Sequence, residues 1–506
     1  MTSSQDPMVP HVRRFLWLGL GVALLLVSNG RWILPLASWF FAVGWLVFLD
    51  RSRFSGLAVA FLAYVLVHFS IWQGIIPAPG ALYYLIAATY GAVYFLPLVA
   101  HRLWASRVDA FQATLVFPLA WVSVEFVFSR WLTPYGSWAS LAYTQSEYLP
   151  LLQLASVTGT AGITFLMTWF ASVVAWMLRP GLDGSRRVSA ATAFVVALLA
   201  VLVFGQLRLV DESPEHSVRA AALVPSAAAL GELEGLLRPV RRGEEISQSA
   251  LGAIQESAAR LNEDLFQRTR REAQAGARLI AWSETAARIF ASEEEQFIER
   301  ARLLAAEHRV VLLLAMGVWH PDGTPPFENK VVVIDATGIV AWEYHKAHPI
   351  IGAESSIIAA GAGAVRRLDQ DFGTVGVVIC HDLDFPQLLR QASTENIGLV
   401  VAPSGDWSNI AVIHARMAVL RAVENGFTLL RPTNGGRTVA IDPRGRVIAR
   451  LDFPEDALVA NVGARRSSTV YGVVGELFSW LCLLGLPVWL IARRRWTTRK
   501  DMPQVG

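Results

Sequence analysis

The stretch Thr374-Val-Gly-Val-Val-Ile-Cys-His-Asp382 is a run of small and β-branched residues that stops abruptly on a thiol and two ionisable groups. A short, continuous apolar run of this kind reads as a strand in a sheet buried on at least one face. The end of such a strand is where α/β folds present functional groups into a cleft. Working outward, further strands are expected at Val218–Val224, Arg278–Trp282, Val310–Gly317, Lys330–Asp335, Ile339–Tyr344, Gly398–Ala402, Thr428–Arg431 and Thr438–Asp442. Helical periodicity is expected over Gln248–Ala275, Glu293–Glu307, Asp384–Ser393 and Asn409–Asn425, the last closed by Gly426 as a C-cap. Asp335-Ala-Thr-Gly338 and Asp442-Pro-Arg-Gly445 carry turn chemistry between strands. Strands and helices in this mixture imply layers, with helices packed outside sheets.

Only about half of the chain reads this way. Charged residues make up 17% of the 506, against about 25% in an ordinary soluble protein, and the mean hydropathy is +0.41. The apolar excess lies in seven runs before the mixed region and one after it. They are Phe15–Val27, Trp32–Leu49, Leu57–Trp72, Ala81–Ala100, Phe111–Phe128, Leu151–Leu178 and Ala190–Leu209, then Val473–Ile491. A bilayer core needs about 20 apolar residues in a helix, so eight spans are expected, the first retained as a helix rather than cleaved as a signal peptide. Residues 1–209 would form a membrane domain, 210–465 a soluble domain, and 466–506 a last span with a basic tail.

Alternate connections carry most of the arginines, Arg13/Arg14, Arg51/Arg53, Arg102/Arg107, Arg179/Arg186/Arg187 and the tail from Arg493, against Arg31 and Arg130 in the connections between them. Basic residues mark the cytoplasmic side. Both termini are therefore expected in the cytoplasm and the soluble domain outside. A net charge of +3 is too small to imply a nucleic-acid partner. Glu125, inside the fifth run, is expected near its outer end, solvated or paired with Arg130. The segment Trp131–Trp138 fits an interfacial aromatic belt.

Two other positions share the character of Cys380. Glu284 follows the strand Leu279-Ile-Ala-Trp282, and Lys346 follows the strand ending at Tyr344. A thiol attacks only as thiolate; a carboxylate can take its proton, and an ammonium can stabilise the anion and the tetrahedral oxyanion after it. Taken singly, each residue has a bland reading as a solvated charge or a small buried hydrophobe. Cys380 departs from it as the sole cysteine of a domain read as exported, where a spare thiol is a liability. Cys482, the only other one, lies in the last apolar run, so neither a disulfide framework nor a cysteine-based zinc site is open to the chain. On the helix after the thiol, Arg421 and Glu424 are expected to pair at i,i+3 spacing.

Together, Glu284, Lys346 and Cys380 resemble the Glu–Lys–Cys triad of the nitrilase superfamily, whose fold is an αββα sandwich. The blocks Ala281-Trp-Ser-Glu284, Tyr344-His-Lys346, Val378-Ile-Cys380, Ala402-Pro-Ser-Gly-Asp-Trp407, Arg431-Pro-Thr-Asn434 and Ile441-Asp-Pro-Arg-Gly445 follow that family's order. With seven spans before the domain and one after, the chain is similar to the membrane branch, the apolipoprotein N-acyltransferases. Glu354, eight residues after Lys346, resembles a second acidic residue of that branch. The resemblance implies an acyl chain passed from a phospholipid to Cys380 as a thioester, then to the α-amino group of a diacylated apolipoprotein. It implies Glu284 as base, Lys346 as oxyanion partner and Glu354 positioning Lys346 or the amine, with His381, Asp382 and Trp407 supporting the site or contacting substrate. No cofactor is implied, and the chain would be a monomer in a bacterial inner membrane with its catalytic domain in the periplasm.

Departures from the branch lie close to the triad. Ser283 stands where proline is usual, Ile350-Ile-Gly-Ala-Glu354 where Val-Pro-Phe-Gly-Glu is usual, and Cys380-His-Asp382 where Cys-Tyr-Glu is usual. Two rivals remain at this level: an amidase or acyltransferase with another amine or amide substrate, and a non-catalytic lipoprotein-binding paralogue. A metal held by His345, His348 and His381 with Asp382 is disfavoured, since the first two lack the i,i+4 spacing of a helical ligand pair.

Overall fold

The computed structural model describes residues 8–106, 108–210, 217–241, 247–320, 323–454 and 457–500. The chain divides into two compact units, Met1–Val210 with Val474–Gly506, and Asp211–Val473.

The first unit is helical. Among the described residues four helices are long and apolar enough to cross a membrane: Gly80–Ala105, Phe111–Leu132, Thr160–Met177 and Gly184–Leu209. Ala37–Asp50, Gly56–Ile71, Leu149–Thr158 and Leu477–Ala492 are apolar but shorter. The run expected as one helix over Leu151–Leu178 is broken. Gly159 takes φ +66°, and two four-residue helices precede it. Hydropathy cannot see that break, because every residue around it is apolar or small. Small residues also set the packing of Met8–Leu26 against Ala37–Asp50: a Cβ on Gly44 would lie 2.5 Å from the Trp17 carbonyl oxygen and 2.6 Å from the Gly21 nitrogen. Close backbone approach of this kind is how apolar helices associate where the surroundings are as oily as the side chains.

The connections sort into two sets. Asp50 accepts from His101 Nε2 at 2.8 Å and from Arg179 Nε at 2.9 Å. Arg102 reaches the Ser52 carbonyl, and Arg179 those of Ala105 and Val108. Three of the arginine-bearing connections are thus tied together. Arg107 and the side chains of the tail 493–500 lie outside the described residues. The other set is joined by Asn29 to the Ala139 carbonyl, Gln145 to the Pro35 carbonyl, and Tyr90 to Thr133.

Glu125 differs from its expected setting. Arg130 pairs instead with Glu476 at 3.1 Å. Glu125 is buried and accepts four hydrogen bonds, from Trp121 Nε1, Ser140 Oγ, Thr164 Oγ1 and the Leu141 N–H. The connection after Leu132 folds back into a 3-10 turn at Leu141–Gln145, and the free N–H at its start faces the carboxylate.

Among its described residues the second unit holds fifteen strands in chain order. They are β1 (Ser217–Leu223), β2 (Leu279–Trp282), β3 (Ala287–Phe290), β4 (Val311–Trp319), β5 (Phe327–Ile334), β6 (Val340–His345), β7 (Leu368–Gln370) and β8 (Gly373–Val377), then β9 (Leu399–Val401), β10 (Ser404–Gly405), β11 (Thr428–Arg431), β12 (Thr433–Asn434), β13 (Arg437–Ile441), β14 (Val447–Asp452) and β15 (Ala457–Gly463). One sheet runs β15-β1-β2-β4-β5-β6 with β3 beside β4, a second runs β14-β13-β11-β9-β8-β7, and β10 pairs with β12. Helices Gln248–Gln274 and Glu294–His308 cover the first sheet, and Ala411–Asn425 covers the second. Every residue of β2, β9 and β11 is buried. Strands buried throughout need cover on both faces of their sheet. The unit is a nitrilase-like α/β domain.

The helix expected over Asp384–Ser393 starts two residues later, at Pro386, and runs to Thr394. Residues Cys380–Asp384 form a 3-10 turn instead. Proline at N1 explains the start, since its missing N–H is one the first turn leaves unused. Helix Ala411–Asn425 ends at Gly426, φ +73°, as its sequence implies.

Candidate active site

Three strand ends deliver the chemistry. Behind Glu284, Trp282 is fully buried: its Nε1 donates to Thr269 Oγ1 at 2.9 Å and its ring meets Phe266 edge-on. The Ser283 N–H continues the β1 pairing by donating to the Leu223 carbonyl. Thr285 then turns at φ +46° and leaves Glu284 at the break. Lys346 directly follows β6, where its N–H donates to the Asn329 carbonyl at 3.0 Å. Cys380 opens the turn after β8 with φ +48°, and its N–H donates to the Pro403 carbonyl. A non-glycine residue in left-handed backbone costs about 1–2 kcal/mol, and such strain concentrates at functional positions.

The three residues are 5%, 0% and 2% exposed. Lys346 Nζ donates to Glu284 Oε1 at 2.8 Å and to both oxygens of Glu354 at 2.9 and 2.6 Å. Glu354 is held in turn by the Ile350 N–H. Burial works against the charge on Lys346, yet Glu284, Cys380 and Glu354 around it raise its pKa well above the usual lysine value. Burial also raises the carboxyl of Glu354; Lys346 pulls it down and Glu284 pushes it back, leaving it above the ordinary range. For Cys380, burial and the charge of Glu284 outweigh the pull of Lys346, so the resting group is a thiol. Its Sγ donates to the Gly405 carbonyl at 3.7 Å. Gly405 faces the carboxylate directly: a Cβ there would sit 3.1 Å from Glu284 Oε2.

Asp382 ties the lysine-bearing loop to the cysteine turn. It is fully buried and accepts from Tyr344 Oη (2.8 Å), the Ile379 N–H (3.0 Å) and the His348 N–H (2.9 Å), with His348 Nδ1 at 3.0 Å. His348 stacks on Phe385 with ring centroids 3.6 Å apart, and His381 meets the same ring edge-on. His381 Nδ1 lies 2.9 Å from the His348 carbonyl oxygen. His345 stands apart from them, 41% exposed and 3.6 Å from Glu343. The three histidines therefore do not converge on a common point. Trp407 is half-buried on the loop beyond Gly405. Arg421 and Glu424 form the expected i,i+3 pair at 2.7 Å, buried on helix Ala411–Asn425.

Sequence reading did not single out a second buried layer. Arg431 forks onto Asp406 with Nη2 at 2.8 Å from Oδ1 and Nη1 at 3.1 Å from Oδ2, and His414 Nδ1 lies 2.8 Å from the same Oδ1. Ligand-type atoms of Cys380, Asp406 and His414 lie within 4.8 Å of one another. The guanidinium of Arg431 is already there, with Nη2 2.7 Å from His414 Nδ1, so a metal would have to displace a fixed cation. Burial would raise the carboxyl of Asp406, but Arg431 and His414 bring it down to about 2 from 3.8. A depressed carboxyl stabilises the fold above its unfolded pKa, and that contribution is lost as pH falls through the folded one. The expected outcome is a term of roughly 2 kcal/mol that is intact above about pH 4 and gone near pH 2. Acid unfolding followed by circular dichroism, wild type against Asp406→Asn, checks it: the variant should lose the steepening in that window.

The chain matches the carbon–nitrogen hydrolase family over residues 242–468 and the apolipoprotein N-acyltransferase N-terminal domain over residues 20–173. It is similar to the apolipoprotein N-acyltransferase of Geobacter metallireducens, 27% identical over 418 residues that cover 77% of this chain and 76% of the relative. The enzyme of the same name from Bradyrhizobium diazoefficiens is 29% identical over 434 residues, covering 78% and 76%. Among solved structures, an amidase from Nesterenkonia sp. aligns with 19% identity and a TM-score of 0.38, over 49% of this chain and 91% of its own.

Proposed function

Because the chain belongs to the apolipoprotein N-acyltransferase family, we propose that it transfers an acyl chain from a phospholipid to the α-amino group of a diacylglyceryl-cysteine lipoprotein through a thioester on Cys380. The observation that carries this reading is the buried contact of Glu284 with Lys346 beside a neutral thiol, in a chain whose N-terminal part matches the family's membrane domain.

Glu284 takes the thiol proton as Sγ attacks the ester carbonyl of the phospholipid. Lys346, fixed by Glu284 and Glu354, stabilises the oxyanion; a single preorganised donor of this kind is worth about 10²–10³ in rate. Collapse breaks the ester C–O bond, and the proton held by Glu284 goes to the departing lysophospholipid. The lipoprotein amine then attacks the thioester and gives a proton to Glu284. Expulsion of sulfur leaves an amide, and the proton returns to Cys380. Asp382 and His381 hold the loop and turn in register, while Trp407 contacts the acyl chain or the acceptor. A thiol that is neutral at rest suits an oxidising compartment, because the thiolate is the oxidisable form.

The same reading takes all eight apolar segments as membrane crossings, with 1–209 and 466–506 in the membrane unit and 210–465 in the periplasm. The two sets of tied connections support it, since alternate loops must share a side. The protein would act as a monomer in the inner membrane with both termini cytoplasmic.

The test uses full-length protein in detergent and a phospholipid with an alkyne-bearing acyl chain. The expected result is a protein-bound label that hydroxylamine removes and that a diacylated lipopeptide collects on its free amine. A lipopeptide with an acetylated amine should collect none. Absence of label on the protein overturns the reading, and label passed only to water or to simple amines turns it toward an amidase or another acceptor.

A further inference from the structure

Lys346 already occupies one oxygen of the carboxylate that has to take the thiol proton. A second donor sits on the same atom. Asn329, on β5, is 3% exposed, and its Nδ2 donates to Glu284 Oε1 at 2.7 Å. Oε1 therefore accepts from Asn329 and Lys346 together, while Oε2 is the oxygen that looks onto Gly405, whose carbonyl takes the Cys380 thiol. The other half of the Asn329 amide makes the point sharper. Among the described residues its Oδ1 is buried with no hydrogen-bond partner. A purely structural amide would be expected to satisfy both ends, since a buried unpaired acceptor is a cost. Turning the amide over would set its oxygen against the carboxylate, so the orientation with nitrogen on Glu284 is the one the site requires.

We propose that Asn329 is a positioning residue for Glu284: it occupies Oε1 and reserves Oε2 for the proton of Cys380. The inference rests on the proposed role of Glu284 as base. The charged and titratable groups around that carboxylate are Lys346 from the end of β6, Glu354 from the loop that follows, and Cys380 from the turn after β8. Asn329 is the neutral member of the set. Substituting its side chain leaves the Asn329 carbonyl in place for the Lys346 N–H, so the lysine keeps its backbone anchor.

The experiment follows two rates against pH in the full-length protein, for wild type, Asn329→Ala and Asn329→Asp. One is acylation by the alkyne phospholipid. The other is alkylation of Cys380 by iodoacetamide, read at that residue by mass spectrometry so that Cys482 does not interfere. With one donor lost, Asn329→Ala should acylate about 10–100-fold more slowly at neutral pH, with an unchanged KM for phospholipid. The acid limb of both profiles should move to higher pH, because a donor to the carboxylate form is gone. Asn329→Asp, which sets one carboxylate against another, should move it further.

A uniform loss at every pH with the limb unmoved overturns the proposal, because a structural role would only lower the active fraction. If Asn329→Ala does not fold, Asn329→Ser, with a shorter donor, is read in the same way and should fall between it and wild type. Because alkylation needs no acyl donor, wild type that alkylates with an acid limb yet never acylates would fail the transferase reading and leave this one standing.

Discussion

Cys380→Ala is expected to fold and to melt within about 1 kcal/mol of wild type, yet to form no hydroxylamine-labile adduct and to transfer nothing. Removal of a covalent nucleophile typically costs on the order of 10⁵–10⁶ in turnover, because the remaining groups have no bond to make. The stability should hardly move. Alanine keeps the left-handed backbone cost that cysteine already carries at φ +48°, and the single sulfur lost is a small cavity. Equal melting curves with total loss of label would separate chemistry from folding. Residual transfer above a few per cent would mean that acyl transfer runs directly from phospholipid to amine, and the thioester would have to be given up.

Lys346→Met should lose activity as completely, and it should lose stability as well. Lys346 is fully buried and is the cation for both Glu284 and Glu354. Breaking a buried ion pair by removing one partner typically costs about 3–5 kcal/mol, because the charge left behind is uncompensated. The two carboxylates can escape that cost by taking up protons, so the variant should gain stability relative to wild type as pH falls. A carboxyl whose folded pKa is raised, as that of Glu354 already is, contributes stability that is lost as pH rises through that value. Thermal unfolding between pH 5 and 8 is the measurement, with Lys346→Met/Glu354→Gln as the partner variant. The double variant should recover part of the loss and flatten the pH dependence. A single variant that melts like wild type at every pH would show that the lysine is not the keystone of this site.

What was legible before the structure follows from how each residue breaks a pattern. Glu284 and Cys380 come just after apolar strand runs and Lys346 just after β6, so each stands at a strand end, and only the three taken together mark a site. Asn329 carries no such mark. A single amide ahead of Lys330 and Val331-Val-Val-Ile334 reads as the solvent-facing start of a strand, and only the tertiary fold turns it toward Glu284. Asp406, His414 and Arg431 are spread over a loop, a helix and a strand, and nothing in their spacing says that they share one buried point. The edge strand β14 escaped notice for a different reason: Val447–Asp452 is exposed or half-buried throughout, so no apolar face marks it. In the helical unit the partner of Glu125 was misread because Arg130 is near in sequence, while the true donors Ser140, Leu141 and Thr164 are brought by chain folding.

The left-handed turn at Cys380 has a corollary for the fold. Glycine adopts that backbone without the penalty any side chain incurs, so Cys380→Gly would relieve about 1 kcal/mol of strain and give about as much back through the extra freedom of glycine in the unfolded chain. The fold is therefore close to indifferent to loss of the cysteine, and whatever keeps it there acts through the chemistry of the thiol.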